Sequence, residues 1–145
     1  MELRKRNFQA GVVLLCVLLM AGISCPSGTK NLATASDAVS KGLVNADTAA
    51  NQAMTSGLIT EAEYTQFHAL LVKTAQAGLA LDAGIRANES AATLSTKVNS
   101  FLDTFKALSQ DGVAGIKNPQ TQLAVSTILT GAETSVAIIA AAVGK

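Results

Sequence analysis

The sequence predicts an all-α fold, in which an N-terminal apolar segment precedes an antiparallel bundle of three or four Ala-rich helices. Three observations carry this expectation. Glycine and proline punctuate long Ala-rich stretches, and no later segment sustains a period-2 alternation of β-branched residues. Apolar residues instead recur at spacings of three and four, which line one face of a helix. Composition points the same way: 49% of the 145 residues are hydrophobic but only 3% are aromatic. The interior must therefore be built from Ala, Val, Leu and Ile, and such small side chains fill space only where helices approach closely. The chain has length enough for one core.

At the start, Arg4, Lys5 and Arg6 precede the 14-residue apolar run AGVVLLCVLLMAGI at 10–23, which is followed by Ser24, Cys25 and Pro26. A basic stretch, a short apolar stretch and small residues after it are the parts of a secretory signal. The run is shorter than the roughly 20 apolar residues that span a bilayer. Counting from Phe8 lengthens it to 16, so the alternative is an uncleaved signal anchor with its positive end in the cytoplasm. The expected organisation is a signal peptide or anchor at 1–24, a linker at 25–29 and a helical bundle domain at 30–145. Both cysteines, Cys16 and Cys25, fall in or beside the apolar segment, which excludes a disulfide framework from the domain.

Gly22, Ile23, Ser24 and Cys25 resemble the lipobox of bacterial lipoproteins, with a small residue before the cysteine and Gly22 where leucine is usual. That resemblance implies cleavage before Cys25 and lipid attachment to it. The product would be an exported protein, membrane-anchored on the periplasmic side or at the outer membrane. Several acyl chains hold a protein stably where a single chain binds only reversibly. Gly22 and Ser24 also suit ordinary signal cleavage before the same cysteine.

The first helix of the domain is expected from Lys30 to Ser56, with Leu32, Ala35, Val39, Leu43 (or Gly42), Ala46, Ala50 and Ala53 on one face of small residues. Gly42 costs about 1 kcal/mol relative to alanine inside a helix and predicts a kink, or a break before Asn45. Gly57 then ends this helix and Thr60 begins the next. Thr60 and Glu63 are spaced as a capping box, with Ile59 and Tyr64 as its hydrophobic staple. The segment GLITEAEY, within 57–71, resembles the helix start of the short SHOCT-type module of bacterial proteins, a likeness that implies no catalytic role.

The second helix carries the stripe Tyr64, Phe67, Leu71, Ala75, Gly78, Asp82 and Ile85, and the third Ala91, Leu94, Val98, Phe101, Phe105 and Leu108. These stripes are out of phase, so either a turn with a fresh N-cap forms at 88–90 or one long helix changes its buried face there, the turn being the preferred reading. Asn118 as N-cap and Pro119 at the first helical position open the last helix, whose apolar face is Val125, Ile128, Ala132, Val136, Ile139 and Val143.

Several function classes are disfavoured by the sequence. Eight scattered Lys and Arg residues after position 25, in a near-neutral body, provide no footprint for nucleic acid. His68, the single histidine, lies four residues after Tyr64 and seven after Glu61, so the three are expected on one side of a helix. A lone histidine without further ligands or a partner nucleophile assigns no catalytic, cofactor-binding or metal site, and Asp82 reads as a boundary residue or an ion-pair partner. The expectation is a non-enzymatic, membrane-anchored cell-envelope protein acting as a helical interaction or structural module. It would be held by the lipid on Cys25 or by the N-terminal helix, and would bind an unknown protein partner or itself. The alternative is a small membrane-active protein, holin-like or a phage accessory, whose final helix inserts through SVAIIAAAV at 135–143. Only 11 uncharged residues, 134–144, follow Glu133, and that favours burial in the bundle.

Overall fold

The structure is a computed structural model that describes the backbone of residues 28–143 and the side chains of 34–143. The expectations for the signal or anchor at 1–24, for Cys16 and for lipid attachment at Cys25 lie outside the described residues. Four helices pack together: α1 (Gly28–Thr55), α2 (Glu61–Arg86), α3 (Ala91–Ala107) and α4 (Pro119–Val143). A π-helical turn, Leu108–Gly112, prolongs α3, and the described residues form no strand. The first helix begins at Gly28, two residues ahead of Lys30. In the packing, α1 lies chiefly on α4 and α2 on α3, while α1 also meets α2 and α3 meets α4.

The α1–α4 seam is made largely of small residues. Ala35, Val39, Leu43, Ala46, Ala50 and Ala53 are buried on α1, and Val125, Leu129, Ala132, Val136 and Ile139 on α4. Gly42 does not break α1 before Asn45, because the helix runs unbroken from Gly28 to Thr55. Its glycine answers a packing demand: a Cβ there would stand 2.9 Å from the Ala132 Cβ and 4.0 Å from the Ile128 carbonyl oxygen. The conformational cost of glycine is accepted where two backbones nearly touch.

The turn between α1 and α2 forms as its residues dictate. Gly57 takes φ +73°, the left-handed region open to glycine. The Glu63 amide donates to the Thr60 hydroxyl (3.2 Å), and the Thr60 amide donates to Glu63 Oε2 (2.8 Å), closing the capping box. The other carboxylate oxygen, Glu63 Oε1, accepts the Lys117 amide at 2.7 Å and so ties the first turn of α2 to the loop before α4. Asn118 caps α4, its Oδ1 accepting the Thr121 amide at 3.0 Å, with Pro119 at the first helical position.

The buried face of α2 is Phe67, Leu71, Thr74, Leu81 and Gly84. The expected stripe through Ala75 and Asp82 is therefore corrected by about one residue beyond Leu71. Thr74 can be buried because its hydroxyl donates within reach of the Leu70 carbonyl (2.9 Å) and the Thr104 carbonyl of α3 (3.0 Å). Asp82 stays at the boundary, 2.8 Å from Arg86 Nε. At the next turn Asn88 adopts φ 51°, and the Ser90 hydroxyl accepts the Thr93 amide at 3.3 Å, giving the fresh N-cap expected there. On α3 the expected stripe is buried from Val98 through Phe101, Phe105 and Leu108, whereas Ala91 is exposed.

Two predictions follow from these contacts. Gly42→Ala should destabilise the protein by about 1–3 kcal/mol through overpacking, reversing the gain of ~1 kcal/mol that alanine ordinarily brings to a helix. Gly131, where an added Cβ would meet nothing within 4 Å, should show the ordinary gain as Gly131→Ala. Urea unfolding of fragment 28–145 and its two variants reads both signs. The second prediction concerns Glu63, whose carboxyl is held below its usual range by the Thr60 amide, then by the Thr60 hydroxyl and the Lys117 amide. A depressed folded-state value contributes stability above the unfolded value near 4.3, and loses it as pH falls through the folded value. The thermal midpoint of Glu63→Gln should therefore fall less steeply than wild type on acidification below about pH 4.3.

Candidate functional site

A cluster of three polar side chains joins α1 to α2 just beyond their shared turn. Asp47 lies on α1, while Tyr64 and His68 stand one helical turn apart on α2, so the last two share a face. The Tyr64 hydroxyl is 3.2 Å from Asp47 Oδ1 and 3.2 Å from His68 Nδ1, and His68 Nδ1 is 2.8 Å from the same Asp47 oxygen. The two rings lie 5.3 Å apart between centroids and tilt by 37°.

A carboxylate accepts, so the imidazole facing Asp47 Oδ1 at 2.8 Å is assigned Nδ1–H, and the phenol is assigned as donor to the same oxygen. The imidazole is thereby held in one tautomer, as it is wherever a carboxylate orients a histidine. Burial holds the Tyr64 phenol above its ordinary range, and the Asp47 charge and hydrogen bond add to the effect, because ionising the phenol would set a second anion beside the carboxylate. One turn along α1 from Asp47, the side-chain oxygen of Asn51 is buried without a hydrogen-bond donor.

Chemically, this arrangement can cross-link two helices and fix an imidazole. The described residues gather no group of three or more His, Cys, Asp or Glu side chains able to hold a metal ion. The sequence placed Tyr64 and His68 together correctly, but Glu61 takes no part in the cluster and is exposed. Its carboxylate is Asp47, which sequence reasoning missed. A usable signal existed: Asp47 lies ten residues before Gly57 and His68 eleven after it, so a hairpin folded at that glycine brings them level.

The second feature is the outward face of α4. Over an 18-residue window this helix has a mean hydropathy of 1.6, and by length and composition it is long and apolar enough to cross a membrane. Only 28% of that window is buried inside the bundle. Leu123 and Ile138 are 69% and 44% exposed, and Thr127, Thr134 and Ala141 are exposed on the same side.

Comparison with protein-family models, with curated proteins and with solved structures finds no match.

Tyr64 is the only tyrosine and the chain has no tryptophan, so its ionisation can be read directly by ultraviolet absorbance. The phenol should stay protonated well above the ordinary tyrosine value of about 10 while the protein is folded. Asp47→Asn should move the titration down only part of the way, since burial persists when the charge is removed.

Proposed function

We propose that this chain is a non-enzymatic, membrane-anchored module of the cell envelope. Its four helices run alternately up and down and present their outer surfaces to a protein partner or to a second copy. The anchor is the lipid on Cys25 or the retained apolar segment 10–23. The observation that carries this reading is the α1–α4 seam: Val125, Leu129, Ala132, Val136 and Ile139 are buried within the bundle, so α4 has its apolar partner in the fold and does not require a bilayer to bury that face. The antiparallel direction of α1 and α4 is supported at both ends of one chain of contacts. Lys117, just before α4, bonds Glu63 at the start of α2, next to the end of α1, and farther along Gly42 meets Ala132.

A second reading, a membrane-active protein whose α4 inserts, draws support from the length and hydropathy of that helix. Glu133 in its midst opposes insertion, as a carboxylate is costly at bilayer depth.

Intact mass of the purified protein separates lipidation, plain cleavage and retention of 1–24. Cys25→Ala should move a lipid-anchored protein from the membrane to the soluble exported fraction. Ile139→Glu should destabilise fragment 28–145 by ~3 kcal/mol or more, because it leaves a charge unpaired in a dry core. If that variant stayed folded while the wild-type fragment released dye from vesicles and the variant did not, the membrane-active reading would replace the first.

A further inference from the structure

We infer that the outward face of α4, around Ile138 and Ala141, rests on the surface of the same bilayer that anchors the chain, with the bundle intact. The inference builds on the anchored, antiparallel reading given above. Its starting point is the length of chain between anchor and fold. From Cys25 to Gly28, where α1 begins, three residues reach at most about 11 Å. From Ile23, where the retained segment would end, the five residues to Gly28 reach at most about 18 Å, so either form of anchor keeps the first turn of α1 within about 20 Å of the headgroups.

The α1–α4 register then decides which part of α4 is near. Gly42 faces Ala132. Seven residues toward the start of α1 is Ala35, and seven toward the end of α4 is Ile139; both are buried in the seam. The last turns of α4 are thus level with the first turns of α1, at the anchored end of the bundle. There the outer face of α4 shows Thr134, Ile138 and Ala141, exposed and uncharged.

Charge and polarity along the face suit an interface rather than a bilayer interior. α4 contains no Lys or Arg and a single acidic residue, Glu133. Glu133 precedes Thr134 by one residue and so stands about 100° around the helix from it, at the edge of the face. The Thr127 hydroxyl is turned back to the Leu123 carbonyl at 2.8 Å, while Thr134 can hydrogen-bond at headgroup level as Ile138 and the alanines enter the acyl boundary. Such a contact is weak for a free helix. Tethering makes it intramolecular, so the local bilayer concentration supplies what the small apolar area does not.

The test uses the full chain, purified as processed by its host and reconstituted into phosphatidylcholine vesicles, in the variants Ile138→Trp and Gln76→Trp. Position 138 is exposed, and Gln76 is exposed on α2, which does not pack on α4, so each variant carries one indole on an intact bundle; unchanged thermal midpoints check this. Flotation with the vesicles reports anchoring separately. For a floating protein, the Ile138→Trp indole should be blue-shifted and quenched several-fold more by lipids brominated near the headgroup than the Gln76→Trp indole. A floating protein with neither indole quenched overturns the inference and leaves the anchor standing. Quenching chiefly by bromines near the acyl-chain ends overturns it in favour of an inserted α4. A protein that fails to float removes the anchored reading and this inference together.

Discussion

The approach of α1 to α4 at Gly42 and Ala132, with 2.9 Å between the Ala132 Cβ and the place a Gly42 Cβ would occupy, is the constraint on which the rest of the fold depends. A chain with four Phe, one Tyr and no Trp cannot fill a wide interior, so the gap between its helices must be narrow. Alanines at 46 and 50 have no exposed surface, and each contributes only the dispersion contacts of one methyl group. Those contacts fall away steeply if the helices part by even an ångström. The buried aromatic side chains lie elsewhere, with Phe67 on α2 and Phe101 and Phe105 on α3. The two tight pairs thus pack by different means, small residues at close range for α1–α4 and aromatics for α2–α3.

Polar contacts hold the two pairs in register where apolar area is thinner. Glu63 is the main such node, because one carboxylate closes the cap of α2 and also accepts the Lys117 amide in the loop leading to α4. Nearby, Asp47 gathers Tyr64 and His68 across the α1–α2 contact. Both nodes sit close to the Gly57 turn, so that end of the bundle is pinned by directional bonds. The exposed bonds of Glu63 add modestly to stability, while the partly buried ones of Asp47 also penalise arrangements that leave their groups unpaired.

The character of α4 explains why a hydropathy average reads it as a membrane span. Its inner face is apolar because it packs on α1, and its outer face is Thr, Ala, Leu and Ile rather than the charged surface usual for a helix at the outside of a bundle. An average over both faces cannot separate a buried stripe from an exposed one. The burial pattern does separate them, because Val125 to Ile139 along the seam are covered while Leu123 and Ile138 are not.

By itself the sequence determined the all-helical class, the capping box at Thr60 and Glu63 and the start of α4 at Asn118 and Pro119. These are local features, set by residues within a few positions of one another, so spacing alone reveals them. The tertiary structure decided what depends on residues far apart in the chain. Gly42 reads as a helix breaker until Ala132, ninety residues later, is laid against it. The buried face of α2 turns to Thr74 and Leu81 because the Thr104 carbonyl is there to accept the Thr74 hydroxyl. Asp47 became the partner of His68, in place of Glu61, because a helix places side chains along its own face but only packing brings a second helix within 2.8 Å.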